Sequence, residues 1–351
     1  LFAHDTSSTG MIQCGSFTTD ALGFATVTLG YEPQWVLVKP ASAAGNWQMY
    51  DNMRGMAVGA SQNVLYPNLS NAETATSNRI NLNATGFGVE NSNNTTYIYI
   101  AIRRPNKPPT SGTQVYNAVA RTGTNAAATV TGVGFAPDLA WSQHRASGAT
   151  RAPLIDRLRG TSVQLFAASS TNAEESATDA ITSFSMDGVN IGVDGSGGFN
   201  YTGMPYINWF FKRAPGFFDV VCYTGDGTDN RQVSHNLAAA PEMVIVKSRS
   251  AAWQWWVYHT GLGNTRQGIV LNDTAGKVSN ADAFSTNGSA FTSSYFLQSA
   301  STAAYPPNAS GYTYVAYLFA TLAGISKVGS YTGNGSSQTI NCGFAAGSRF
   351  I

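Results

Sequence analysis

Tyr31-Glu32-Pro33-Gln34-Trp35-Val36-Leu37-Val38-Lys39 is a proline-led run of strand-forming residues, and the chain repeats it twice. It returns as Phe135-Ala136-Pro137-Asp138-Leu139-Ala140-Trp141-Ser142 and again as Ala240-Pro241-Glu242-Met243-Val244-Ile245-Val246-Lys247. The prolines stand at 33, 137 and 241, so the interval is 104 residues both times (137 − 33 and 241 − 137). Val, Ile and Trp favour a pleated, half-buried surface. A proline at the head of such a run removes no ladder hydrogen bond that the strand needs.

Working outward, the same landmarks follow in the same order. Trp47-Gln48-Met49-Tyr50-Asp51-Asn52-Met53-Arg54-Gly55 is matched by Ala152-Pro153-Leu154-Ile155-Asp156-Arg157-Leu158-Arg159-Gly160. The third version, Trp255-Trp256-Val257-Tyr258-His259-Thr260-Gly261-Leu262-Gly263, has His259 and Leu262 where Asp and Arg stood. Asn71-Ala72-Glu73, Asn172-Ala173-Glu174 and Asn280-Ala281-Asp282 come next. Turns at Gly86-Phe87, Asp187-Gly188-Val189 and Asn287-Gly288 follow them. Each unit closes on an aromatic strand: Tyr97 to Ile102, Tyr206 to Phe211, and Tyr314 to Phe319. A fourth copy opens at Gly329-Ser330-Tyr331-Thr332-Gly333 and reaches Phe344 to Ile351, which predicts a longer chain.

This spacing predicts a lead-in over 1–9, repeats over 10–104, 113–216 and 217–327, a Pro-rich linker over 105–112, and the start of a fourth repeat over 328–351. The run Arg103-Arg104-Pro105-Asn106-Lys107-Pro108-Pro109-Thr110-Ser111-Gly112, which contains the linker, reads as extended and semi-rigid. Ala214-Pro215-Gly216-Phe217-Phe218 is short and apolar, so the second and third units are expected to touch.

Short aromatic and β-branched runs bounded by Gly, Asn, Ser and Pro mark an all-β chain. Each unit reads as an antiparallel two-layer β-sandwich of jelly-roll or lectin-like type. One helix is expected around 172–178, capped by Asn172, with Glu174 and Glu175 in its first turn. The closing strands are apolar on both faces, and a strand with one wet face should alternate. Their second face is expected to lie under loops of the same unit, another layer, the next repeat or another copy of the chain.

Charged residues make up 11% of the 351, against roughly a quarter in ordinary globular proteins. The net charge of +1 gives no electrostatic basis for nucleic-acid or anionic-membrane binding. No apolar run reaches the ~18 residues of a membrane span. Aromatic residues at 12% supply apolar surface for real cores, which argues against disorder. Cys14, Cys222 and Cys342 are odd in number and far apart, so they read as packed thiols. His4, His144, His235 and His259 have no metal-ligand spacing. Asp226-Gly227-Thr228-Asp229-Asn230 lacks the closing acid of a calcium loop and reads as a hairpin turn. No metal or cofactor is expected.

Two features carry chemistry. Asp51 with Glu73, and Asp156 with Glu174, recur as carboxylate pairs of the kind a glycosidase needs. The structural reading pairs them with Arg54 and Arg159, and it is favoured because the third unit loses its Arg while shortening its Glu to Asp282. The other feature is Trp253-Gln254-Trp255-Trp256-Val257-Tyr258. Trp255 and Tyr258 match Trp47 and Tyr50 and belong to the repeat, which leaves Trp253 and Trp256 as candidate ligand contacts, because flat rings suit sugar faces.

Gly134-Phe135-Ala136-Pro137-Asp138, the Val36–Lys39 and Val244–Lys247 runs, the Asp-x-x-Arg-Gly and Asn-Ala-Glu motifs and the Tyr314–Phe319 strand together resemble the tandem repeat module of bacteriophage virion and tail-fibre proteins. The likeness covers residues 10–327 and part of a fourth unit, and the third unit departs from its Asp-x-x-Arg-Gly pattern. The resemblance implies a lectin-like sandwich, a place in the virion among other virion proteins and copies of itself, and contact with host surface glycans. It carries over no catalytic residues. The expected function is therefore a non-enzymatic tail-fibre-type structural protein, its weak sites gaining avidity by repetition. The alternatives are a capsid-decoration or filament-assembly protein, a polysaccharide depolymerase using the paired carboxylates, and a bacterial surface adhesin.

Overall fold

The computed structural model describes every residue except 1–3, 6, 8, 9, 78, 147–151, 167–170, 178, 194–197, 280, 302–304 and 346. The fold is all-β, built from antiparallel sheets, and among the described residues two single-turn 3-10 helices occur, Gly112–Gln114 and Thr260–Leu262. Among the described residues, no helix is long and apolar enough to cross a membrane. Contacts divide the chain into two compact units, Leu1–Asn106 with Asp156–Thr161, and Lys107–Ile155 with Ser162–Ile351.

In the first unit the main sheet runs Ile12–Thr18, Thr96–Arg103, Pro33–Pro40, Gln48–Asp51 in spatial order. A smaller sheet of Phe24–Thr28, Gly86–Glu90 and Ile80–Asn83 forms the second layer. Side chains alternate across a pleated strand, so Val36 and Val38 are buried while Trp35, Leu37 and Lys39 turn to the other face. Phe87 from the small sheet meets Tyr99 and Phe17 from the large one edge-on, at 5.8 and 6.3 Å between ring centres. The hexapeptide Asp156–Thr161 belongs to this unit, and the Val58 N–H donates to the Leu158 carbonyl at 2.8 Å.

The second unit holds two more sandwiches. The main sheet of the second segment runs Tyr116–Thr122, Pro205–Phe211, Leu139–His144, Pro153–Asp156, Val163–Phe166, Glu175–Ser176. Its core gathers Val130, Ala140, Phe184, Val189 and Phe210. The third segment repeats the order with Phe218–Thr224, Thr313–Phe319, Met243–Ser248, Trp256–His259, Ile269–Val270, over a core of Val244, Val246, Tyr258, Phe296 and Tyr314. In all three segments the closing strand lies between the opening strand and the proline-led one.

A shared latch holds the turn before each closing strand. Asn91, Asn200 and Asn308 each stand six residues ahead of a buried tyrosine, Tyr97, Tyr206 and Tyr314. Each tyrosine hydroxyl accepts the backbone N–H of the residue after its asparagine, at 3.3, 3.0 and 3.1 Å. Gly123 and Gly225 face these turns. A Cβ on either would lie 2.2 and 2.1 Å from a carbonyl oxygen of the turn, so no larger residue fits without moving the backbone.

The helix expected around 172–178 is not there. Glu175–Ser176 is a strand paired with Val163 and Gln164, and Glu174 is held by Arg249. Ladder pairing and that ion pair together outweigh a local capping preference, while Thr178 lies outside the described residues.

Candidate functional site: arginine-held carboxylates and an aromatic surface

The Asp51 carboxylate closes a tight turn after Gln48–Asp51. One oxygen accepts the N–H groups of Met53 and Arg54 at 3.1 and 2.9 Å, and the other accepts Arg54 Nε at 2.5 Å. The same guanidinium reaches Glu73 at 2.8 Å, so one arginine holds both carboxylates. Burial works against the Arg54 charge, but bonds to Glu73 and Asp51 outweigh it and raise the pKa above the ordinary value.

Asp156 repeats the turn, accepting the Arg159 N–H at 2.9 Å and Arg159 Nε at 2.5 Å, with both side chains fully buried. Glu174 is held by Arg249, whose terminal nitrogen sits 2.9 Å from its carboxylate. In the third segment Asp282 pairs with Arg266 at 2.8 Å. Arg266 thus supplies the guanidinium that the motif position lost at Leu262, four residues further along, where a fixed-spacing reading does not look. These carboxylates stabilise turns and strand ends through charge-assisted bonds.

The Asp226–Asn230 stretch connects Phe218–Thr224 to Arg231–Ser234, which lie in different sheets, so it is not a hairpin. Asp226 accepts from Thr228 and Asn308, and Asp229 from Ser299, Ser301 and the Ala300 N–H. Among the described residues, no group of three or more His, Cys, Asp or Glu could hold a metal ion. His235 is buried, with Nδ1 accepting the Leu237 N–H at 3.1 Å and Nε2 against the Thr292 carbonyl at 3.2 Å. Burial lowers its pKa, against the pull of Asp219.

The two tryptophans singled out from sequence part company. Trp256 is 7% exposed in the core of the third segment, and its indole N–H donates to the Tyr305 carbonyl at 3.0 Å. It is therefore not a surface platform, because Trp256–His259 turns it inward. Trp253 is half-buried and packs 4.5 Å from Tyr312 and 6.2 Å from Tyr305. Those two tyrosines are 40% and 42% exposed, so the three rings form an accessible aromatic surface. Neither tyrosine stands out in the sequence, since both lie far along the chain from the tryptophan run. Trp255, placed in the repeat by its match to Trp47, is fully buried.

A separate cleft of about 280 Å³ opens in the second segment, lined by Arg121, Thr122, Thr124, Thr129, Thr131 and Asn200. Val119, Ala128, Val130 and Ile191 complete its lining, and Arg121 and Asn200 are tied to each other at 3.3 Å.

Fold and site together define an all-β protein of sandwiches whose turns carry arginine–carboxylate contacts, with an exposed aromatic surface on the third segment. The chain belongs to the family described as a domain of unknown function, DUF7483, whose model matches residues 5–105 and 111–347. No curated protein and no solved structure matches the chain.

Proposed function

We propose that this chain is a phage virion structural protein of the tail-fibre type, non-enzymatic, whose sandwich modules contact host surface glycans. The observation that carries the reading is the Trp253–Tyr305–Tyr312 surface, three rings on one module with Tyr305 and Tyr312 exposed and Trp253 half-buried beside them. Aromatic rings stack on the apolar faces of sugars while tyrosine hydroxyls reach their polar edges. Several copies of the chain on one particle would turn weak single contacts into useful avidity. Seating Asp51 and Glu73 on one arginine supports a structural rather than a hydrolytic role for them. The depolymerase alternative requires Asp51→Asn or Asp156→Asn to lower the release of reducing ends from capsular sugar.

Two measurements test the proposal. Immunogold labelling of native particles should place residues 113–327 on fibres or tail tips; label over the capsid moves the chain to decoration or assembly. A glycan array should lose its signal with Trp253→Ala while the fold is retained. Equal binding by the variant ends the assignment of this surface.

A further inference from the structure

Each closing strand carries its latch tyrosine opposite a residue of the opening strand, and that residue differs in the second segment. Opposite Tyr97 and Tyr314 stand Phe17 and Tyr223, whose rings stack on them at 5.3 and 5.1 Å. Opposite Tyr206 stands Arg121, its guanidinium 5.0 Å from the ring centre. The Phe199 carbonyl accepts from it as well, and Asn200 accepts at 3.3 Å.

A second exchange lies on the facing strand of the small sheet. In the third segment Arg231 donates to the Thr224 carbonyl and to Asn308 at 3.0 Å, so it reaches from one layer of the sandwich to the other. Ala128 holds the matching position in the second segment, two residues before Val130 as Arg231 is two before Val233. The stacked ring and the bridging arginine are thus both replaced there, and the cleft of about 280 Å³ opens between the same two strands.

Its chemistry is mixed. Ala128, Val130 and Ile191 supply apolar lining, and Thr122, Thr129 and Thr131 supply hydroxyls. Each hydroxyl can both donate and accept, and that of Thr129 is fixed by Asn190 at 2.8 Å. Arg121, anchored by its own neighbours, serves as a rigid wall. Apolar surface beside a few placed polar groups is the usual make-up of a small-molecule site. Here it matches a sugar ring, which offers C–H faces and a rim of hydroxyls. Pockets for drug-sized ligands start at roughly 300 Å³, so this cleft suits a single ring.

We propose that the cleft binds one neutral pyranose unit, giving the second segment a saccharide site separate from the Trp253 surface. The ligand class rests on the glycan reading, so the test follows the two sites separately.

Methyl-resolved NMR of the full chain is that test, titrated with the methyl glycosides of glucose, galactose, mannose and N-acetylglucosamine and with sodium glucuronate. At least one neutral glycoside is expected to shift the Ile191 and Thr129 methyl signals saturably, and Trp253→Ala should leave that shift in place. Ala128→Arg, which puts the third segment's bridging residue at an exposed position, is expected to weaken binding about tenfold or more. Thr131→Val keeps the shape but removes one hydroxyl, and should weaken it severalfold. No saturable shift with any neutral glycoside, a response to glucuronate alone, or binding indifferent to both cleft variants overturns the proposal. Glycan-array binding that depends on Trp253 beside a silent cleft removes this site and keeps the aromatic one.

Discussion

The first and third segments share one sheet order and one register, yet the outward faces of their main sheets live in different surroundings. Trp255, Lys247 and Tyr317 are at most 1% exposed, while Trp47, Lys39 and Ile100 remain half-exposed. Even the lysine is retained, as an ammonium received by carbonyls of Thr171, Ser248 and Ala251 in one place and by Pro40 in the other. The difference teaches that burial of a residue in this chain depends on which neighbour its sheet meets, more than on the residue itself.

Placing a charge on this face in the two segments is the strongest way to break the comparison. Tyr317→Asp should cost about 4 kcal/mol or more and unfold the third segment, because an unpaired carboxylate would be buried. Ile100→Asp, at the matching position, should cost about 1 kcal/mol. Hydrogen exchange resolved by segment separates the two, and equal losses would remove the distinction.

The arginine seats give the next effect. Asp156 and Arg159 are fully buried, whereas Asp51 and Arg54 are 22% and 23% exposed. Asp156→Asn is expected to cost about 3–5 kcal/mol by removing the negative charge bonded to the buried Arg159 guanidinium. Asp51→Asn should cost about 1 kcal/mol, since water compensates the more open pair. Urea titration of both variants checks the ratio.

Acid–base behaviour sharpens the contrast at the lysine. Burial pushes the Lys247 pKa down to about 8, against the pull of Glu174, from an ordinary 10.5. Between those values the unfolded chain binds a proton that the folded chain has released, so stability should rise with pH through that window. Below about 8 both states are protonated and this contribution is flat. Lys247→Met should abolish the rise; an unchanged slope between pH 8 and 10 would locate its source elsewhere.

The smallest effect expected on folding is that of Trp253→Ala, because Trp253 borders the core rather than filling it. Melting temperature should move little while ligand binding responds.

Much of this was legible along the chain. Proline-led runs such as Tyr31 to Lys39 and closing strands such as Tyr97 to Ile102 became paired neighbours in the main sheet, because strand chemistry is local and alternates with period two. The Asp51–Arg54 and Asp156–Arg159 turns were readable for the same reason, being three residues apart. Arg266 was not, since its partner Asp282 is sixteen residues away and outside the repeated spacing. The helix expected after Asn172 failed because its residues had long-range partners at Val163, Gln164 and Arg249 that local propensity does not see.

The sequence by itself therefore determined the fold class, the strands and the local arginine turns, all of which follow from periodicity and short-range hydrogen bonding. The tertiary structure alone decided which tryptophan is accessible, which distant tyrosines join it, and which sheet faces are covered. Those outcomes depend on long-range packing, where two residues of identical type at matching positions meet different neighbours.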